Sequence, residues 1–196
     1  MLRTLKQLIL ASGSPRRKEF LEDLGLSFTI CPAQIDEAPF PGEGPDDYVI
    51  RMAEQKAEQV SLRYPSAWVI SADTIVTIDN ELMGKPCSSE EALTMLMRLA
   101  GRTHEVQTGY CLMNKTGKTS ILDSRKTMVR FTPFTEELAG SYVKTGEPLD
   151  KAGSYGIQGK GGLLVETIIG SYSNVVGLPL AEIVLLLQEN GVITEL

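Results

Sequence analysis

Apolar positions along this chain recur with two periods, and the switches between them mark its elements. Leu5 to Ala11, apolar throughout from Leu8, predicts a buried strand. Ser14 is placed to cap a helix that opens with Pro15, carries Phe20, Leu21 and Leu24 on one face, and stops at Gly25. Ser27 to Cys31 reads as a second strand, and Ala33 to Pro45, rich in proline, glycine and acids, reads as a loop. Tyr48, Val49, Met52, Ala53, Ala57 and Val60 fall at helical spacing within Asp46 to Leu62. Trp68 to Ile78 is rich in strand formers, Asp79-Asn80 is a turn candidate, and Glu81 to Met83 returns as a short strand. Ser88 and Glu91 form a capping box that opens a helix through Leu99. Thr103 to Leu112 and Ile121 to Phe131 predict a hairpin about Asn114 to Gly117. Thr135 to Lys144 and Pro179 to Glu189 predict helices, Leu163 to Ile169 predicts a strand, and Asp150 to Gly162 is glycine-rich. Strands and helices do not alternate regularly enough for a doubly wound parallel sheet, so the expected fold is α/β with a mixed, twisted sheet and flanking helices.

Composition narrows the possible partners. At 196 residues and 42% apolar content the expectation is one domain over residues 1–196, with room for two lobes. A net charge of −6 argues against a general nucleic-acid or anionic-membrane binder. Cys31, Cys87 and Cys111 are too scattered for a disulfide framework or zinc cluster, and His104 is the only histidine. No apolar run reaches the roughly 18 residues of a membrane span. Arg16 and Arg17 follow the first apolar run rather than precede it, the wrong order for a secretory signal, so a cytoplasmic protein is expected. Ile183 to Leu187 form a nearly continuous apolar run that serves equally as core or as the interface of a homodimer.

Four segments carry candidate chemistry. In Ser12-Gly13-Ser14-Pro15-Arg16-Arg17, small hydroxyl residues end a strand and two guanidiniums open a helix. The segment reads either as a capped helix with two surface arginines in its first turn or as an anion site. Cations in a first turn oppose the helix dipole unless an anion offsets them, which favours a bound phosphate. Asp73 interrupts the strand formers of Trp68 to Ile78. It reads either as part of a loop between two short strands or as a carboxylate at a strand end, usable as a base or a metal ligand. Gly84-Lys85-Pro86 lacks the rest of a Walker loop, and alone Lys85 reads as a solvated lysine. Five glycines within Ala152 to Gly162 suit either close backbone approach around Gln158 or a flexible surface loop. Glu37 could join Asp73 around a divalent ion or be a solvated loop acid. Lys56 sits on an amphipathic helix whose charged face has an equally plain reading.

Taken in order, these segments resemble the Maf family of nucleoside triphosphate pyrophosphatases. The likeness covers residues 10–17, Ala72-Asp73-Thr74, Gly84-Lys85-Pro86, residues 146–153, 155–159 and 170–172, and Val175 to Pro179. The resemblance implies an elongated, two-lobed α/β molecule with a deep active-site cleft, of the Maf and ITPase-like type. It also implies hydrolysis of a small nucleotide substrate to monophosphate and pyrophosphate with a divalent cation, Mg²⁺ or Mn²⁺. Arg16, Thr74 and Gln158 match the branch acting on dTTP and UTP rather than the sister branch associated with 7-methyl-GTP. By the same resemblance, Arg16, Arg17, Lys56 and Lys85 neutralise the triphosphate, Ser12 and Ser14 hold its oxygens, and Glu37 and Asp73 hold the metal. Asp73 is then the general base or mainly a metal ligand, and Gln158 bonds the edge of the base. A nucleotide-binding regulator of cell division without turnover is the rival class.

Overall fold

The structure, a computed structural model, describes residues 2–196. In chain order its elements are β1 (Leu2–Thr4), β2 (Leu8–Leu10), α1 (Pro15–Asp23), β3 (Thr29–Ile30), α2 (Pro45–Arg63), β4 (Trp68–Ile78), β5 (Glu81–Met83), α3 (Ser89–Leu99), β6 (Thr103–Asn114), β7 (Thr119–Phe131), α4 (Glu136–Val143), β8 (Val165–Ile169), α5 (Tyr172–Val176), α6 (Leu180–Glu189) and β9 (Ile193–Glu195). Seven strands hydrogen-bond in the order β3-β2-β4-β6-β7-β8, with β5 on β4, while β1 and β9 form a separate antiparallel ribbon. The sheet is mixed, as the irregular order of elements predicts: β2 runs parallel to β3 and β4, whereas β4–β5 and β7–β8 are antiparallel. No helix among the described residues is long and apolar enough to cross a membrane.

The chain divides into two compact units. The first comprises residues up to Asp73 together with Thr108–Arg125 and Gly177–Leu196; the second comprises Thr74–Gln107 and Lys126–Val176. In the first unit the apolar face of α2, Ala53, Ala57 and Val60, packs with Ile9, Val69, Cys111 and Met113. Gly109 makes this approach possible. A Cβ there would sit 2.3 Å from the Val49 carbonyl oxygen, so the α2 backbone lies directly on β6. In the second unit the core joins Val76, Leu96, Leu99, Val129, Phe131, Tyr142, Tyr155 and Leu164. His104, the lone histidine, is buried there; its Nε2 pairs with the Tyr155 hydroxyl at 2.8 Å and its ring meets Phe131 edge-on.

Several elements differ from expectation at their ends. The strand expected at residues 5–11 is β2, Leu8–Leu10, because the Leu5 and Lys6 amides turn to the Val192 carbonyl. The strand expected at residues 27–31 shortens to Thr29–Ile30. The hairpin strands are longer, at residues 103–114 and 119–131, than the alternation alone indicated. The glycine-rich stretch folds into successive 3₁₀ turns, Glu147–Asp150, Ala152–Ser154 and Lys160–Leu164.

Candidate active site

Parallel pairing within the first unit ends at Leu10 opposite Ile70. Ser12 lies two residues past that pair on one strand and Asp73 three residues past it on the other. In parallel α/β sheets this region beyond the carboxyl ends of strands is where ligands bind. Asp73 is neither in a loop nor at a strand end: β4 continues through it without a break, which corrects both sequence readings. It lies between the stretch of β4 paired to β2 and the stretch paired to β5. Asp73 and Thr74 are the two positions of β4 that are not buried.

Strand and helix periods together bring Lys56 to Asp73. Ser71 and Asp73 share one face of β4. Ser71 Oγ donates to the Ala53 carbonyl, and three residues along the same helix Lys56 Nζ donates to Asp73 Oδ1 at 2.6 Å. Lys56 follows Val49 by two helical turns, so it lies on the buried face of α2, and its side chain is only 12% exposed. The solvated reading of Lys56 therefore fails. The same ammonium meets Glu37 Oε1 at 2.7 Å.

Around the start of α1 the hydroxyl of Ser12 is an acceptor twice over, from the Ser14 amide at 3.2 Å and from Arg17 Nη1 at 3.0 Å. Arg17 Nε also donates to the Gly177 carbonyl at 2.7 Å. Burial, and then the Arg16 charge, draw the Arg17 guanidinium below its ordinary value, while the charges of Asp73 and Glu37 oppose the fall. It stays a cation throughout the physiological range. Ser14 occupies the N-cap position but makes no side-chain capping bond, and no acid lies in the first turn of α1. The positive end of the helix is thus left without an anion of its own, next to Arg16 and Arg17.

The first unit therefore brings Ser12, Ser14, Arg16, Arg17, Glu37, Lys56 and Asp73 together. Lys56 and Arg17 act on both carboxylates and Arg16 lies near Arg17, so three cations to two carboxylates make a locally positive site on a chain of net charge −6. The two carboxylates converge on one point, now held by an ammonium, so the donor set suits a hard cation. Among the described residues no three or more His, Cys, Asp and Glu gather as a metal cage. Two carboxylates with the remaining positions left to water and phosphate oxygens is the arrangement Mg²⁺ commonly takes. In the second unit, Thr74 begins the part of β4 that belongs to it, Lys85 is exposed just after β5, and Gln158 is half-buried in the glycine-rich stretch.

The family model of Maf-like proteins matches residues 7–190. The chain belongs to the Maf family. Curated Maf relatives match over nearly their whole lengths. A protein of Desulfotalea psychrophila named dTTP/UTP pyrophosphatase is 55% identical over 91% of this chain and 92% of the relative. Proteins of the same name from Myxococcus xanthus and Symbiobacterium thermophilum are 50% and 47% identical, over 94% and 95% of this chain and 92% and 95% of theirs.

Two further residues of this Maf chain support the site: Tyr48, which the sequence shows only as part of an apolar helix face, and Arg51, which it does not mark at all. The Tyr48 hydroxyl donates to the Glu37 carbonyl at 2.9 Å. Burial first, then the charges of Asp73 and Glu37, push its phenol up to about 12, so it remains a neutral donor. Arg51 pins the loop that carries Glu37: it bonds Glu43 Oε2 at 2.6 Å and the Ala38 carbonyl at 3.1 Å, and lies 3.9 Å over the ring of Phe40. An arginine eleven residues from an exposed phenylalanine gives no periodic signal, so only the folded loop reveals the pair.

Proposed function

We propose that this chain hydrolyses the α–β bond of nucleoside triphosphates, dTTP and UTP, giving the monophosphate and pyrophosphate. The observation that carries the reading is the Glu37–Lys56–Asp73 cluster, two carboxylates on one buried lysine, in the same unit as the guanidinium-lined start of α1. The names of the relatives support the choice of dTTP and UTP, and Arg16, Thr74 and Gln158 match that branch of the family.

Pyrophosphate gathers charge as it departs, so catalysis is chiefly positioning and electrostatic stabilisation. Arg16, Arg17 and Lys56 offset the charge of the triphosphate, and the amides at the start of α1 with the hydroxyls of Ser12 and Ser14 hold its oxygens. Lys56 already occupies Asp73 Oδ1, so Oδ2 is assigned to take the proton of the attacking water. A Mg²⁺ or Mn²⁺ held by Glu37 and Asp73 would supply acidification of that water and charge neutralisation at the phosphates. From the second unit, Lys85 is assigned as a further cation for the phosphates, Thr74 as a substrate-binding hydroxyl and Gln158 as the reader of the base edge. We assign the activity to residues 1–196 as one domain, since β4, β6 and β7 each run through both units and the family match spans residues 7–190.

Hydrolysis of dTTP in ¹⁸O-labelled water with Mg²⁺ tests the bond that breaks. Attack at the α-phosphorus puts the label in dTMP and leaves pyrophosphate unlabelled. Label in pyrophosphate, or dTDP with inorganic phosphate as products, would overturn the assignment.

A further inference from the structure

Composition leaves the glycine-rich stretch between a flexible loop and a binding element. In the second unit one pair of residues holds it from both sides. Glu147 Oε2 accepts from the Lys160 amide and Oε1 from the Gly161 amide, each at 3.1 Å. The Tyr142 hydroxyl donates to Glu147 Oε1 at 2.9 Å and accepts from the Gly156 amide at 3.1 Å. Tyr142 is buried at 3% exposure, so its hydroxyl is a fixed post rather than a surface group. At Gly161 a Cβ would lie 2.4 Å from that hydroxyl and 2.5 Å from the Gly156 carbonyl oxygen, so the loop closes on Tyr142 with no room for a side chain. Burial alone would raise the Glu147 carboxyl, but the amides of Gly161 and Lys160 and the Tyr142 hydroxyl bring it below its ordinary value. It therefore grips the loop as an anion, and charge-assisted bonds of this kind are the stronger ones.

Gln158 lies two residues after Gly156 and two before Lys160, at the apex of this pinned span. Among the described residues none hydrogen-bonds its side-chain amide, whereas the backbone on each side of it is fixed. An amide that chooses between bases must be held still, because a reader that follows the ligand discriminates little.

We propose that Tyr142 and Glu147 are positioning residues that set base selectivity, by fixing the loop that presents Gln158 to the pyrimidine of the nucleotide. The proposal rests on the role given to Gln158 above. Neither residue is among those assigned to the phosphates or the attacking water. Their loss should alter which base is accepted and leave turnover of bound dTTP nearly intact.

The test uses the full chain as wild type, Glu147→Gln and Tyr142→Phe. Tyr142→Phe keeps the buried ring and removes only the hydroxyl, so it reports even if Glu147→Gln folds poorly. Affinities for the α,β-methylene analogues of dTTP and dATP are measured by calorimetry with Mg²⁺, beside kcat for dTTP and amide hydrogen exchange. The wild type should prefer the dTTP analogue. Both variants should narrow that preference about tenfold, with kcat within about threefold of wild type, as expected when binding rather than the transition state is affected. Exchange at Gly156, Lys160 and Gly161 should quicken. An unchanged preference despite faster exchange, or equal weakening for both analogues, would overturn the proposal. So would a wild type that binds both analogues alike. If the preference and its loss are seen but natural dTTP is not hydrolysed, the proposed function fails while the positioning role stands.

Discussion

A single ammonium shared by two carboxylates makes Asp73 sensitive to its charge more than to its shape. Asp73→Asn keeps the side-chain volume and can still accept from Lys56, so the strand should survive. In the roles proposed for Asp73, the general base and half of the cation site are lost with the charge. We expect kcat for dTTP to fall by roughly 10² or more, with a melting temperature close to wild type; near-normal turnover would remove Asp73 from its assigned role. His104 illustrates the opposite case, a titratable residue that serves the core. Burial pushes it down to about 4, and its Nδ1 has no partner among the described residues, so a second proton would be an unpaired buried charge. Between about pH 6.5 and 4 the unfolded chain takes up that proton and the folded chain does not. Stability from this residue is thus full above pH 6.5 and is lost as pH falls toward 4, by about 3 kcal/mol in all. Urea titrations at pH 7 and pH 5 should show the slope in wild type and a flatter one in His104→Gln. The sequence offers Asp73 as a base or a metal ligand but not its partner Lys56, seventeen positions away, and it gives no sign that His104 is buried against Tyr155 and Phe131.

Helix α2 shows how an element converts spacing into a site. Its apolar face was legible because Tyr48, Val49, Met52, Ala53, Ala57 and Val60 repeat at helical spacing, and that face lies on the sheet as expected. The same geometry carries Lys56 inward, although helical amphipathicity alone suits a charged residue equally well to the outer face. Gly109 governs how close α2 sits. Gly109→Ala would force the α2 backbone off β6 and should cost about 3 kcal/mol, the upper end of ordinary overpacking. A lowered urea midpoint with an unchanged slope would report it, and a wild-type midpoint would refute the packing given to α2. The capping box of α3 was equally legible, since its signal is local: Ser88 Oγ accepts from the Glu91 amide at 3.1 Å. The β1–β9 ribbon was not, because three residues at one end of the chain pair with three at the other and neither run is long enough to show a period. Helix α5 has five residues and escaped for the same reason. The glycine-rich stretch was found but not understood, because its order comes from Glu147 and Tyr142, which no pattern within the stretch announces.

For the molecule as a whole, a net charge of −6 coexists with a local surplus of cations, so binding of a triphosphate relies on placement rather than on a general positive field. The mixed sheet was legible from the irregular order of strands and helices. The resemblance implies two lobes, but where the chain divides into two units was not legible, because three strands pass through both and no linker marks the boundary. The family likeness of the motifs carried the functional reading further than any physical pattern did, and the structure shows Ser12, Arg17, Glu37, Lys56 and Asp73 gathered in the first unit. Substrate choice is where that reading is most exposed. Pyrophosphate release should be measured from dTTP, UTP, CTP, dATP and 7-methyl-GTP at equal concentration, with Mg²⁺ and with Mn²⁺. The prediction is that dTTP and UTP exceed the others by at least about tenfold in kcat/KM; greatest release from 7-methyl-GTP, or none from any nucleotide, would contradict it.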